Sequence, residues 1–441
     1  MWQYTRLGTI AEFKNGLNFS RANWGRGLKV IGVTDFQDYL YPKYDSVSEI
    51  NPAGVVRDED YLEEGDILFV RSNGNRELIG RTLFIKNLPG KMSHSGFTIR
   101  LRFNSNEIFR PFYVYFFRSS LLRATLSIYG GGTNINNLNQ QILKSLDVPL
   151  PPLPAQRKIA AILSAYDELI ENNKRRIALL EKMAEEIYRE WFVRLRFPGH
   201  EKVKVFKGIP HGWKMVKVGN AFTFTGGGTP SKVIERYWKD GNVNWFTPSD
   251  ITSASGIFLD ESADHCSEEG VSNSSARMFP PYSIMLTSRA TIGAIGINRT
   301  PACTNQGFIT CMPNSTYPMT YLYHWLKLSK PCFQLLAGGA TFAELTKGTF
   351  KRIEILTPPQ PVVDQFNRVE LPIFKAIENY QAANQKLVAT RDLLLPRLIS
   401  GKLSVEKLDI QFPPGMMEEY ENPPESPLHK KGGSGGSEAE D

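Results

Sequence analysis

The sequence predicts an α+β protein built from two tandem, pseudo-repeated globular domains, each running into a long helix, with the two helices pairing as a coiled coil. Three observations carry this. Stepping alternately four and three residues from Ile159 meets Leu163, Tyr166, Ile170, Asn173, Ile177, Leu180, Ala184, Ile187 and Trp191, an unbroken heptad seam. The segment Trp2–Gly16 lays over Trp213–Gly227 at one offset of 211 residues, matching Gly8 with Gly219, Phe13 with Phe224 and Gly16 with Gly227. A chain of 441 residues also exceeds what one hydrophobic core holds, while 41% apolar and 11% aromatic residues suit a folded protein.

The first domain, residues 1–150, holds short apolar runs separated by turns, read as strands at Asp66–Val70, Thr82–Ile85 and Thr98–Phe103. One amphipathic helix, Phe109–Leu122, precedes a Gly-rich turn at Gly130–Thr133. The second domain, residues 198–357, repeats these features in order. Thr34-Asp35 answers Ser249-Asp250, the run from Gly65 answers that from Tyr282, Ser95-Gly96-Phe97 answers Gln306-Gly307-Phe308, and the helix at Tyr113 answers Tyr317–Leu328. A proline-rich hinge then leads into a helix in both copies, from Leu150 and from Thr357.

The central helix, within residues 151–197, has no Gly or Pro between Ala155 and Arg196, so about 38 residues would run roughly 55 Å. Asn173 is the single polar seam residue, a type of interruption that fixes register at some loss of stability. The distal helix, within residues 358–408, has a less regular seam: Ile373, Ile377, Tyr380, Asn384, Leu387, Leu394 and Leu398, with Arg391 intruding. Pro372 and Pro396 are expected to kink it. Asn384 lies at the repeat offset from Asn173, which suggests that the helices pair with each other, and the heptad period predicts a left-handed twist. Residues 409–441 carry Pro, Gly, Ser and acids without apolar periodicity and read as a tail without order, its Gly/Ser-rich end resembling an added linker.

The formal charge of +7 favours an anionic partner. No run of about 18 apolar residues and no signal core are found, so the expectation is a cytoplasmic protein without a membrane role. Four cysteines without CxxC spacing read as buried thiols rather than zinc ligands. P-loop, GxSxG, HExxH and strand-to-helix GxGxxG motifs are missing, and Gly226–Lys232 lacks the GK[ST] ending of a phosphate cradle. The chain therefore reads as non-catalytic, with no cofactor or metal of its own.

The remaining chemistry sits in loops whose side chains suit DNA. Arginine pairs bidentately with guanine and Asn or Gln with adenine, while Ser, Thr and Lys hold phosphates. In the first domain the candidates are Asn18, Ser20, Arg21, Asn23 and Arg26 beside Trp24; Arg71, Asn73, Asn75, Arg76 and Arg81; His94; and Thr133 with Asn134. In the second they are Thr229, Ser231, Lys232 and Arg236; Trp245, Thr247 and Ser249 beside Asp250; Arg289 beside Ser288; Asn305 and Gln306; and Thr341.

These strings carry a family resemblance. The PLPPLPAQRKIAAILSAYDELI start of the central helix, the LLLPRLISGKL end of the distal helix, and GGGTPSK, YWKDGNVNWFTPSDI and SRATIG in the second domain are similar to the specificity (HsdS) subunit of type I restriction-modification systems. Together with the internal repeat, the likeness spans about Met1 to Leu408. It implies two target-recognition domains, each reading one half of an asymmetric bipartite double-stranded DNA target. It implies that the conserved helices pair antiparallel, hold the domains apart, set the spacer and dock two methyltransferase (modification) subunits. Those subunits would bring S-adenosylmethionine and modify adenine at N6, and restriction/translocase subunits would bring ATP and Mg. Pro372 departs from the first helix's pattern and bears on how far the coiled coil extends. Two other readings are a coiled-coil scaffold with protein-binding end domains and a fused DNA modification enzyme.

Overall fold

The computed structural model describes residues 2–36, 40–72, 78–120, 122, 126, 137–338 and 343–412. The chain divides into two compact units, Met1–Ile170 with Lys386–Asp441, and Glu171–Gln385. The division falls inside both long helices, which span Leu153–Tyr188 and Gln360–Ile399. Each unit therefore combines one globular domain with the start of one helix and the end of the other, where the sequence reading had kept domains and helices as separate segments.

The first unit opens with Gln3–Arg6 paired antiparallel to Asp147–Leu150. Its four-stranded antiparallel sheet runs in the order Ala11–Asn15, Thr98–Phe103, Ile67–Val70, Thr82–Phe84. A three-stranded sheet places Trp24–Ile31 between Glu49–Ile50 and a parallel neighbour, Met92–His94. Ile67–Val70 is apolar at every position because both of its faces are covered. The helix Arg110–Arg118 packs Phe112, Tyr113, Phe116 and Phe117 onto this sheet, and Ile159, Leu163, Leu398 and Ile399 of the long helices join the same core.

The second unit repeats this plan strand for strand. Lys214–Lys217 pairs with Glu354–Thr357; Phe224–Gly226, Phe308–Cys311, Ile284–Thr287 and Ile295–Asn298 form the antiparallel sheet; and Val243–Phe246 lies between Asp264–Cys266 and the parallel Ala302–Thr304. It adds a short parallel edge strand, Phe258–Leu259, and a two-stranded hairpin pairing Val205–Phe206 with Ile209–Pro210. The Tyr113 hydroxyl donates to the Pro149 carbonyl (2.9 Å) and that of Tyr321 to the Leu356 carbonyl (2.6 Å), so the two domain helices are tied to equivalent strands. Phe192 packs edge-on against Tyr321 and Phe366, both at 4.8 Å, in the core of this unit.

Sheet register corrects one part of the sequence alignment. Val70 lies opposite Thr98 and Thr287 opposite Phe308, so Phe97 answers Gly307 and not Phe308. The Gly-Phe identity had pulled the alignment one residue out. A one-residue slip reverses the faces of a strand, and Phe308 is accordingly 1% exposed whereas Phe97 is 64% exposed.

The helices pair within each unit. In the second, the Asn173 amide donates to Asn384 Oδ1 at 2.9 Å and the Arg176 guanidinium lies 5.5 Å from the Tyr380 ring; advancing along one helix means receding along the other, so they run antiparallel. In the first, Arg391 pairs with Asp167, which also accepts from the Tyr115 hydroxyl (2.8 Å), and this accounts for the arginine in the apolar seam. Ile159, Leu163, Ile170, Ile373 and Ile377 are buried, and Tyr166, Ile177, Leu180, Ile187, Tyr380, Leu387 and Leu394 are half-buried. The distal helix continues through Pro372 and Pro396 without interruption, and the central one ends in a π-turn at Arg189–Val193. Cys266, Cys303 and Cys311 are buried as expected; Cys332 is exposed, on the helix Lys330–Leu336. Among the described residues no helix is long and apolar enough to cross a membrane.

Candidate nucleic-acid interface

The candidate loops of each unit converge at the same end of its main sheet. In the first unit the chain leaves Ala11–Asn15 through Gly16, whose added Cβ would lie 2.3 Å from the carbonyls of both His94 and Ser95. Only glycine permits this approach, after which Leu17 N donates to His94 O (2.7 Å) and Gly96 N to Leu17 O (2.7 Å). The turn at Ser95–Thr98 is thereby fastened to the loop bearing Asn18 and Arg21. Arg71 N donates to Phe97 O (2.8 Å), and Leu138 N to Arg71 O (2.9 Å), bringing in the third loop and the segment after the Gly-rich turn.

The second unit is wired alike. A Cβ on Gly227 would lie 1.9 Å from Asn305 O and 2.3 Å from Thr304 O. Gly228 N donates to Thr304 O (2.9 Å), Ser288 N to Gly307 O (2.8 Å) and Leu345 N to Ser288 O (2.9 Å). Asp35 Oδ2 accepts from Gly32 N (2.8 Å) and Asp250 Oδ2 from Thr247 N (2.6 Å), so the matched aspartates cap matched turns. The short helices that follow, Gln140–Ser145 and Lys347–Arg352, are capped by Asn139 and Thr346.

Side chains on this shared frame differ. In the first unit Asn18, Ser20, Arg21 and Arg26 are exposed, and Asn23, Arg71 and Arg81 are half-buried. Ser20 and Asn23 cap the turn Arg21–Asn23 reciprocally, which fixes the loop and leaves the Arg21 side chain outside it. In the second unit Ser231, Ser249 and Gln306 are exposed, and Thr229 donates to Gln306 Oε1 at 2.7 Å. Asn305 Oδ1 accepts from Gly307 N (2.9 Å) and Thr247 Oγ1 donates to Asp250 (2.7 Å), so both are committed to holding their turns. Lys232 sits over Trp238 (5.1 Å) and Trp245 (5.4 Å), with Asp264 at 3.6 Å; Arg236 pairs with Glu269 and Arg289 with Glu344, both at 2.9 Å.

Two candidates are corrected by burial. His94 is 1% exposed, its Nδ1 is 2.9 Å from Thr98 Oγ1, and desolvation with the nearby Arg100 charge pushes its pKa down to about 3; it is a neutral interior histidine. Trp245 is 4% exposed and donates from Nε1 to Gly228 O (2.9 Å), so it supports the loop from beneath. Asn73, Asn75, Arg76, Thr133, Asn134 and Thr341 lie outside the described residues. Phe97 was overlooked as a surface group because a turn phenylalanine carries no signal of exposure until the register is known.

This arrangement of paired loops on a repeated frame can be set beside known proteins. The model of the type I restriction modification DNA specificity domain matches residues 1–182 and again 210–387. The chain is 26% identical over 424 residues to the MjaIX type I restriction enzyme specificity subunit of Methanocaldococcus jannaschii, covering 92% of this chain and 94% of that one. It is 24% identical over 323 residues to the HindI specificity subunit of Haemophilus influenzae, covering 59% of this chain and 70% of that one. In fold it is similar to the crystal structure of a type I restriction-modification S subunit from M. genitalium, with a TM-score of 0.55, 16% identity, and coverage of 93% of this chain and 97% of that one. With both of its halves matched, the chain belongs to the type I restriction-modification DNA specificity family.

Proposed function

We propose that this chain selects the DNA address of a type I restriction-modification complex, each unit reading one half of an asymmetric bipartite double-stranded target. The observation that carries this reading is the pair of equivalent loop clusters. The same backbone bonds, Arg71 N to Phe97 O and Ser288 N to Gly307 O, hold unlike side chains in the two units. A common frame with different groups reads two different half-sites. The paired helices set the spacer, since each added base pair moves the second half-site by about 3.4 Å and rotates it. They also dock two methyltransferase subunits, which supply S-adenosylmethionine and methylate adenine N6; restriction/translocase subunits supply ATP hydrolysis and cleavage. The chain acts in the cytoplasm and is non-catalytic by itself.

Co-expression with the methyltransferase subunit encoded beside it, followed by mapping of N6-methyladenine across the host genome, tests the reading. Methylation at one split motif with a fixed spacer, dependent on this chain, is the expected result. Replacing residues 1–150 with those of a relative should then change one half-motif only. Methylation whose motif ignores this chain would exclude the address role and leave the scaffold reading.

A further inference from the structure

We propose that the first unit, unlike the second, drives an aromatic wedge into its half-site: Phe97 inserts between or stacks upon bases and locally unstacks the duplex. This inference rests on the DNA-reading function above.

Phe97 occupies the second central position of the turn Ser95–Thr98, closed by Thr98 N and Oγ1 donating to Ser95 O at 2.9 and 2.8 Å. Its carbonyl accepts from Arg71 N (2.8 Å) and Ser72 N (3.4 Å), while Gly96 N donates to Leu17 O. Thr98, the next residue, is fully buried at the start of the strand Thr98–Phe103. The ring, 64% exposed, therefore cannot turn inward without breaking the bonds that join the three loops. Single exposed apolar residues are ordinary on protein surfaces. A phenylalanine clamped outward at the meeting point of three candidate DNA-reading loops is a different case.

Its surroundings choose the partner. Arg71 Nη1 reaches the Gly96 carbonyl (3.5 Å), and a Cβ on Gly96 would lie 2.2 Å from Asn18 Oδ1, so a guanidinium and an amide flank the tip. Arg21 and Arg26 stand on the adjoining loop, and neither they nor Arg71 have a carboxylate partner among the described residues. An apolar tip among cations that have no carboxylate partner among the described residues suits a base stack between phosphates better than an apolar protein groove. Among the described residues the second unit shows no counterpart: Gly307 stands in place of Phe97, Trp245 is buried, and Trp238 packs edge-on against Trp245 at 5.0 Å.

The test uses the chain assembled with its methyltransferase subunits on duplexes carrying the mapped motif, with 2-aminopurine placed at successive positions of both half-sites. The wild-type complex should brighten the probe at one step of the first half-site and leave the second half-site dark. Phe97→Ala should abolish that signal and weaken binding about five- to hundredfold, whereas Phe97→Leu should keep much of both. Wild-type specific binding with no probe response, or a Phe97→Ala complex indistinguishable from wild type, would overturn the wedge while leaving the address function standing. Loss of methyltransferase assembly in Phe97→Ala would make Phe97 a protein contact, and loss of the second half-motif as well would make it a structural plug; both overturn the wedge. Absence of any motif-specific binding by the wild-type complex would defeat the address function and the wedge together.

Discussion

In the second unit Lys232, Arg236 and Arg289 are held by Asp264, Glu269 and Glu344, and the loop tryptophans are covered; in the first, Arg21, Arg26 and Arg71 have no carboxylate partner among the described residues, and Trp24 and Phe97 stand 70% and 64% exposed. The strand plan beneath is the same. Duplication thus preserved the elements whose change would cost a core and freed the loop ends to diverge in charge compensation. The second unit holds its cations in place before DNA arrives. Releasing an exposed ion pair costs only about 0–1 kcal/mol, so pairing preorganises these groups without disabling them.

The comparison can be broken most severely at the shared glycines. Gly16→Ala or Gly227→Ala places a Cβ about 2 Å from two backbone carbonyls, which cannot move without disturbing the parallel strand beside them. Each substitution is expected to erase methylation directed by its own half-motif and to lower the thermal unfolding temperature; equal loss of both half-motifs would mean that the units do not read independently.

A buried pair separates the units next. Counting from the equivalent Tyr113 and Tyr321, Phe116 of the first unit stands where the second has His324, whose Nε2 lies 3.3 Å from Oε2 of Glu370, both side chains being fully enclosed. Burial pushes the Glu370 carboxyl up to about 8 and the His324 ring down to about 3, so both are neutral near pH 7. Tyr188 and Phe374 pack on the histidine, and Glu185, Arg189 and Lys327 are the nearby charges. A carboxyl raised in the folded state adds stability below its ordinary value of 4.5 and loses it as pH climbs through about 8. A histidine depressed in the folded state adds stability above its ordinary 6.5 and loses it as pH falls towards 3. Between pH 6.5 and 8 only the Glu370 trend remains, so the second unit should weaken across that window. Glu370→Gln should flatten the decline in chemical denaturation, and an unchanged slope would refute the assignment.

Charge compensation yields a smaller contrast. Arg71→Ala should weaken specific binding by about 1–3 kcal/mol if it reaches a base, or lower the salt slope by about one if it reaches a phosphate. Arg289→Ala should do less, because Glu344 already offsets its charge. Glu344→Gln should strengthen binding, and titrations of the assembled complex at several salt concentrations would show these differences. The smallest effect is expected at Asn173 and Asn384. Replacing both by Leu should hold or slightly raise stability while loosening helix register, visible as methylation at altered spacer lengths. An unaltered spacer would assign register to the rest of the seam.

Much of this architecture was legible because its signals are local and repeated. The seam from Ile159 to Trp191 shows in periodicity alone, and the offset joining Asn173 to Asn384 anticipated a hydrogen bond between residues far apart in the chain. Thr34-Asp35 and Ser249-Asp250 were paired correctly since a capping aspartate is a local device. The Gly-Phe match misled because identity in a turn says nothing about which neighbour a strand takes. His94 and Trp245 were misplaced for a related reason: a polar or aromatic residue on a short strand faces either the core or the surface, and its own sequence does not say which.

By itself, then, the sequence determined the duplicated domain plan, the two long helices and the polar seam pair, all of which follow from periodicity, chain length and residue type. Tertiary structure decided which loops meet, which cations are paired, and that Phe97 points outward while Phe308 points inward. Those outcomes depend on cross-strand register and burial, which arise only when segments distant in the chain compete for the same core.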